Sequence, residues 1–196
     1  MKKGLIVLLV LLGVLGTGAM FFSGTYNGLV QAEETVSQAW AQVQNVYQRR
    51  LDLIPNLVET VKGYAAHENQ TFVAVTEARA KAAGSISASV INDPGKFQQF
   101  QDSQGALSSA LSRLMVVVEK YPDLKANENF LQLQAQLEGT ENRISVERGR
   151  FNESAQTFNI RLRQFPTNML GGMFGFKIKE YFKADAQASV APKVQF

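Results

Sequence analysis

The chain has 196 residues and no cysteine, and its formal net charge at pH 7 is +3. This length accommodates one membrane anchor and one domain. Without cysteine the chain has no disulfide, thiolate metal site or cysteine nucleophile. The formal charge of +3 falls to +1 when Lys2 and Lys3, which precede an apolar run, are set aside. A nearly neutral chain without a basic stripe does not indicate nucleic acid as a partner.

An uncharged apolar run occupies residues 4–22, and the next charged residue is Glu33. As a helix it can span a bilayer core of about 30 Å. A cleaved signal peptide is the alternative, but there is no clean cleavage site and no cysteine for lipidation, so we predict a retained anchor over residues 1–23. Because Lys2 and Lys3 flank its N-terminal end, the positive-inside rule predicts a cytoplasmic N-terminus and an extracytoplasmic domain.

A long helix with a narrow apolar stripe is predicted over residues 26–64. Two rows of seven-residue spacing stand three and four residues apart, which is the a/d pattern of a coiled coil. The rows are Tyr26, Glu33, Trp40, Tyr47, Ile54, Val61 and Leu29, Val36, Val43, Arg50, Leu57, Tyr64. Because the rows continue in register beyond Pro55, we predict a kink near Leu51 rather than a helix end.

Three further helices follow in the sequence. The second covers residues 68–83, and the third begins with Asp93 as N-cap and Pro94 at its first position. The fourth begins near Asn127, ends before Pro166 and repeats an apolar residue every seven positions. Short connections and these repeats predict an all-α fold, an elongated, coiled-coil-like antiparallel four-helix bundle over residues 24–166 that follows the transmembrane helix.

Residues 167–196 are predicted to form an apolar C-terminal segment and a mobile tail. The antiparallel topology returns the fourth helix to the bilayer, so aromatic and basic residues after it are candidates for the membrane surface. These candidates are Met169, Phe174, Phe176, Lys177, Lys179, Phe182 and Lys183. The alternative, which we favour, is that the phenylalanines cover the open end of the bundle core.

Glu33 and Arg50 are charges at seam positions, and a buried charge needs a partner. The candidates on the fourth helix are Arg161 or Arg163 for Glu33 and Glu141 or Glu147 for Arg50. Such pairs would set register or partner choice. The alternative, which we favour, is that both side chains reach the bundle edge.

The residues around the proline form a second group of interaction candidates. Together with the seam charges and the tryptophan, the set is Glu33, Trp40, Arg49, Arg50, Asp52, Pro55 and Asn56. They could form a docking surface or a network of salt bridges that supports the proline bend, and the sequence leaves both open.

No catalytic, cofactor or metal site is expected. His67 is the single histidine, whereas zinc sites and di-iron bundles use several ligands and a catalytic triad needs partners around its histidine. Neither a P-loop nor a dinucleotide-binding glycine motif occurs in the chain. We therefore do not expect an enzyme.

Several of these stretches closely resemble the LemA family. They include A-W-A-Q-V-Q-N at 39–45, Q-R-R-L-D-L-I-P-N-L-V at 48–58 and Y-P-D-L-K-A-N-E-N-F at 121–130. The resemblance covers about residues 26–182. It implies a bacterial protein with an N-terminal membrane helix and an elongated four-helix bundle. It implies no activity, cofactor or catalytic residue. Genes of the family often lie near membrane metalloprotease genes, which suggests envelope maintenance without assigning a role.

The functional expectation is a membrane-anchored scaffold or adaptor of the bacterial envelope, in the inner membrane, that self-assembles or docks envelope proteins. Membrane proteases are candidate partners by family analogy only. One alternative is a sensory or ligand-binding bundle, with Gln104, Glu33 and Arg50 as its inward polar residues. Another is a membrane-remodelling protein that uses its C-terminal segment.

Overall fold

The computed structural model describes residues 2–183, and side chains from residue 4 onward. Its elements are α1 (Lys2–Lys62), α2 (Asn69–Gly84), a 3₁₀ turn (Ala88–Asn92), α3 (Pro94–Val118), α4 (Pro122–Lys125), α5 (Glu128–Arg163) and α6 (Thr167–Met173). No strand occurs within residues 2–183. The prediction of an all-helical chain with a long apolar N-terminal helix is therefore confirmed. The predicted tail at 184–196 lies outside the described residues.

The first helix, α1, is one unbroken helix of 61 residues, about 90 Å long at 1.5 Å per residue. Its N-terminal part is long and apolar enough to cross a membrane. Leucine side chains there, such as Leu5 and Leu9, are about 60% exposed to the surroundings. The apolar run and the heptad seam therefore belong to a single rod, with no interruption at Gly24 or Pro55.

Pro55 is accommodated by a side chain from the neighbouring helix. Proline has no N–H, so the carbonyl of Leu51, four residues earlier, loses its helical partner. Nε of Arg79 on α2 donates a hydrogen bond to that carbonyl over 2.9 Å. Beyond the proline, Leu57 and Val61 are fully buried. The helix therefore continues through Pro55, and Arg79 supplies the missing donor.

The two longest helices, α1 and α5, pack along each other in opposite directions. Near the apolar run, Nη1 of Arg161 donates to the carbonyl of Gly28 over 2.7 Å. At the far end, Nδ2 of Asn127, the N-cap of α5, donates to the hydroxyl of Tyr64 over 3.0 Å. The part of α1 next to the apolar run thus contacts the C-terminal end of α5, and the C-terminal end of α1 lies beside the start of α5.

The shorter helices α2 and α3 form an antiparallel pair. Ser85, directly after α2, shares a 2.7 Å hydrogen bond with Ser103 of α3. Lys120, just beyond α3, lies 3.9 Å from Glu68, just before α2. The 3₁₀ turn that connects them passes beside α1, because the indole N–H of Trp40 donates to the carbonyl of Ser87 over 3.0 Å.

Buried side chains form two clusters along the long axis of the helices. The cluster nearer the apolar run is centred on Trp40, whose ring lies 5.2–6.3 Å from four phenylalanine rings. These are Phe97, Phe100, Phe151 and Phe182. Such aromatic pairs add about 0.5–1.5 kcal/mol each beyond the burial of apolar area. The other cluster contains the seam residues that follow the proline.

The heptad pattern agrees with the burial, except at its ends and at Leu137 of α5, which is half-buried. All apolar members of the two rows of α1 between Leu29 and Val61 are buried, whereas Tyr26 and Tyr64 are exposed. On α5 the row fails at Phe165, which is 80% exposed. The reason is that α5 ends at Arg163, so Phe165 no longer lies on the helix face that packs against α1.

Candidate functional site

The chain after α6 turns back along α5 and is held there by two asparagines. We call residues 177–183 the C-terminal strap. The side chain of Asn159 donates to the carbonyl of Lys179 and accepts from its N–H, over 2.9 and 2.8 Å. Asn152 makes the same pair of bonds with Phe182, both of 2.9 Å. Each amide thus replaces the two bonds that a neighbouring strand would make.

The spacing of the two asparagines matches the spacing of the strap. Seven residues of an α-helix span about 10.5 Å. Three residues of extended chain, from Lys179 to Phe182, span about 10 Å. The strap can therefore lie almost fully extended along α5 while both amides keep good hydrogen-bond geometry.

Lys179 of the strap is a buried and fully paired cation. Its side chain is 1% exposed, and its Nζ lies 2.6 Å from Oε1 of Glu33. The same Nζ donates to Oδ1 of Asn92 in the 3₁₀ turn over 2.6 Å, and it lies 5.4 Å from the ring centroid of Phe158. The ion pair joins α1 to the strap, and the bond to Asn92 adds the connection before α3.

This arrangement corrects the partner that we assigned to Glu33. The partner is Lys179, and not Arg161 or Arg163. Arg161 instead donates to a backbone carbonyl of α1, and Arg163 is an exposed residue at the end of α5. The strap enters the seam of α1, and the periodicity of the helices contains no signal for a strap.

Phe182 places the end of the strap in the aromatic cluster. Its ring lies 5.0–6.3 Å from those of Trp40, Phe97, Phe100 and Phe151. The guanidinium of Arg148 lies over the same ring, 4.6 Å from its centroid. Lys179 and Phe182 are therefore internal residues, and the prediction that they lie at a membrane surface is wrong for both.

The remaining membrane-surface candidates lie on the surface of the protein or are half-buried. Met169, Phe174, Lys177 and Lys183 are exposed, and Phe176 is half-buried. They follow or belong to α6, which lies beside α1 where the apolar run ends. The ring centroid of Tyr26 is 5.0 Å from that of Phe174 and 5.9 Å from that of Phe176.

Gly171 of α6 allows the close approach of this short helix to α5. A Cβ at this position would overlap Cδ1 of Leu162, so the leucine would have to move. Gly175, after α6, has φ of +78°, a conformation that glycine adopts without strain. These two glycines let the chain turn from α5 into the strap.

Arg50 is the second buried cation of the seam. It is 6% exposed, its Nη2 donates to Oγ of Ser108 on α3 over 2.7 Å, and its Nη1 lies 3.5 Å from Oε2 of Glu141 on α5. Glu141 was one of the two predicted partners. The other, Glu147, pairs with Arg150 over 2.8 Å.

A polar cavity of about 330 Å³ opens beside Arg50. Polar side chains from α1, α3 and α5 line it, and the ring of Phe182 from the strap contributes to its wall. One lining residue, Gln104, is 5% exposed. Its Oε1 is buried and accepts no hydrogen bond within the part of the chain that the structure describes.

The candidates around the proline form a separate, exposed surface. Arg49, Asp52, Pro55 and Asn56 are exposed, whereas Trp40 is buried. Asp52 accepts a 2.7 Å hydrogen bond from Gln48 of the same helix, and Arg49 donates to Gln136 of α5 over 3.3 Å. Of the salt-bridge network, one of the two alternatives left open by the sequence, the described residues show only the contact between Arg50 and Glu141. A groove of about 540 Å³ runs beside Pro55 between α1 and α2.

Sequence reasoning missed Asn92, Asn152, Asn159 and Arg79. The signal for the two α5 asparagines was their seven-residue spacing directly after Phe151 and Phe158, the buried row of that helix. Among residues 2–183 no three His, Cys, Asp or Glu side chains come together in a metal-binding group. His67 is exposed in the turn after α1.

Comparison with known proteins adds the following relatives. The chain is 28% identical over 174 residues to the magnetosome protein MamQ of Magnetospirillum gryphiswaldense, which covers 80% of this chain and 64% of that protein. It is 29% identical over 175 residues to magnetosome protein MamQ 2 of Paramagnetospirillum magneticum, with coverage of 81% and 64%. The chain thus spans less than two thirds of the length of these relatives.

A third relative is the protein LemA of Metamycoplasma hominis. The two are 26% identical over 187 residues, which cover 94% of this chain and 80% of the relative. The sequence model of the LemA family matches residues 39–196, from the middle of α1 onward. This match includes the heptads of α3 and α5, the strap, and the two asparagines that hold it, Asn152 and Asn159. The chain belongs to the LemA family.

Proposed function

We propose that this protein is a membrane-anchored helical scaffold or adaptor of the bacterial envelope, without enzymatic activity. In this proposal α1 crosses the inner membrane with its N-terminus in the cytoplasm. The helices α1, α2, α3 and α5 form an elongated antiparallel four-helix bundle outside the cytoplasm. The bundle acts by self-association or by docking envelope proteins. Membrane proteases are candidates by family analogy.

The observation that carries the proposal is the continuity of α1. The apolar run and the packed seam share one helix from Lys2 to Lys62, so the helical body is held at a fixed height. Pro55 lies 33 residues beyond Phe22, about 50 Å along the helix. A continuous helix that presents an exposed surface at a set distance from the bilayer suits a scaffold. Confinement to the membrane plane adds avidity between neighbouring copies.

Two further observations support this function. The groove between α1 and α2 is next to the exposed residues Pro55 and Asn56 and provides a docking surface. The relatives named magnetosome proteins are consistent with a function at a membrane.

The proposal is tested by measuring the oligomeric state and the contacts of the intact protein in a membrane. We expect protein extracted in nanodiscs to give, after subtraction of the mass of the empty disc, a discrete protein mass that is a multiple of the 21.6 kDa of one copy, by light scattering or mass photometry. A photo-crosslinker in place of Asn56 should capture a second copy or envelope proteins. The same group at Ser145, an exposed residue of α5, is the matched control. A monomer at all concentrations that gives no crosslink from Asn56 would refute the proposal.

A further inference from the structure

The cavity beside Arg50 has the composition of a small-ligand site. Its volume of about 330 Å³ is at the small end of the range for ligand sites, about 300–1,000 Å³. Six of the residues that line it are Arg50, Gln104, Ser108, Glu141, Arg148 and Phe182. They come from α1, α3, α5 and the strap, so the cavity lies where four segments of the chain converge.

Arg50 has more donors than the protein uses. A guanidinium carries five N–H groups, and within residues 2–183 the structure shows one hydrogen bond, from Nη2 to Ser108. The contact with Glu141 is longer, at 3.5 Å, and the side chain of Glu141 is 57% exposed while that of Arg50 is 7% exposed. A buried cation that faces a hydrated carboxylate is incompletely compensated. A ligand carboxylate would match the planar fork of Arg50.

Gln104 has an acceptor without a donor, whereas Arg50 has donors without acceptors. Its Nε2 makes a long contact of 3.5 Å with the carbonyl of Ala82, whereas its buried Oε1 has no donor within residues 2–183. A buried acceptor left without a partner costs about 1–3 kcal/mol. Gln104 lines the cavity, so a rotation of its side chain would offer this oxygen to an N–H group on a ligand and remove the cost.

The charges around the cavity select between ligand classes. Arg50 and Arg148 favour an anionic group, while Glu141 would repel a dianion such as phosphate. Glu141 and the carbonyl oxygen of Gln104 favour a group that donates N–H. We propose that the cavity binds a small zwitterion of the α-amino acid class, with its carboxylate toward Arg50 and Arg148 and its ammonium toward Glu141 and Gln104. The proposal is independent of the scaffold function.

The experiment is calorimetric titration of the full-length protein in nanodiscs with single amino acids, and with acetate and phosphate as comparison ligands. At least one amino acid should bind saturably, and neither acetate nor phosphate should bind at equal concentration. Arg148→Ala should weaken binding about tenfold, the value of one charge-assisted hydrogen bond. Because Arg148 also donates to the carbonyl of Lys183 over 3.0 Å, trypsin cleavage of the strap is measured on the same variant, and a loss of binding that occurs only together with faster cleavage would count against a ligand role for Arg148. Arg143→Ala is the matched control, because Arg143 is an exposed arginine of the same helix that does not line the cavity.

Gln104→Leu separates a ligand role from a folding role. It removes a buried acceptor without a partner, so the unfolding temperature should not fall, while amino acid binding should weaken about tenfold, the value of one hydrogen bond to a charged group. The proposal is overturned if no amino acid binds the folded protein, if acetate binds as well, or if Arg148→Ala and Gln104→Leu bind as the unchanged protein does. Saturable amino acid binding that appears only when residues 184–196 are deleted would also overturn the proposal. The cavity would then be the site of the chain's own C-terminal residues and not of a ligand.

Discussion

In the buried ion pair between Glu33 and Lys179, we expect removal of Glu33 to lower the free energy of unfolding more than removal of Lys179. Glu33→Ala leaves an ammonium that is 1% exposed without its counter-ion, and we expect a loss of about 3 kcal/mol, the lower end of the range for breaking a buried pair. Lys179→Met removes the charge and keeps the length of the side chain. Because Glu33 is 35% exposed, water can hydrate it, and we expect a loss of only about 1–2 kcal/mol.

The assay is thermal unfolding of the full-length protein in detergent, monitored by tryptophan fluorescence. Trp40 is the single tryptophan of the chain, and its ring lies 6.3 Å from that of Phe182. At about 2–4 °C per kcal/mol for a chain of this size, Glu33→Ala should lower the midpoint by roughly 6–12 °C, and Lys179→Met by less.

The double variant tests the reasoning directly. Once Lys179→Met has removed the buried charge, Glu33→Ala should add little, so the two losses should not sum. Equal losses in the two single variants, or additive losses in the double variant, would show that the pair does not behave as a buried cation with a partly hydrated counter-ion. The strap would then be held by its backbone bonds and Phe182 alone.

Three other predictions concern the strap, the proline and the short helix α6. Asn159→Leu should free the strap, which carries three lysines, and speed its cleavage by trypsin at least several-fold, because two buried backbone bonds are lost. Arg79→Met should lower stability by about 1–3 kcal/mol, measured by urea unfolding. Pro55→Ala should reduce that loss, since alanine supplies the missing N–H. In the cysteine-free chain, a polarity-sensitive dye at Met173→Cys, 77% exposed before substitution, should report a lipid environment in nanodiscs, whereas the same dye at Ser145→Cys should report water.

The helices were predictable because their signals are local or periodic. Asp93 accepts hydrogen bonds from the N–H groups of Gly95 and Lys96, over 2.9 and 3.2 Å, as an N-cap should. Asn127 accepts from the N–H of Phe130 over 3.0 Å at the start of α5. Burial of apolar residues at every seventh position then followed from the geometry of packed helices.

The strap was not predictable in the same way, for two physical reasons. It has no period, because backbone bonds to Asn152 and Asn159 fix it rather than a repeating apolar face. A mixture of lysine and phenylalanine also suits two opposite environments, a lipid surface and a core in which the cation is paired. Lys179 and Phe182 take the second environment only because Glu33 and the aromatic cluster are close in space.

The continuity of α1 also has a mechanical consequence. Helices adapt to a thinner or thicker bilayer by changing their tilt, and α1 has no interruption at which such a change could be absorbed. The 40 residues from Ser23 to Lys62 make a lever arm of about 60 Å. In the proposed membrane-spanning arrangement, a change in tilt of about 10° at the bilayer would therefore move the far end of the protein sideways by about 10 Å. The position of that end would then depend on the thickness of the membrane.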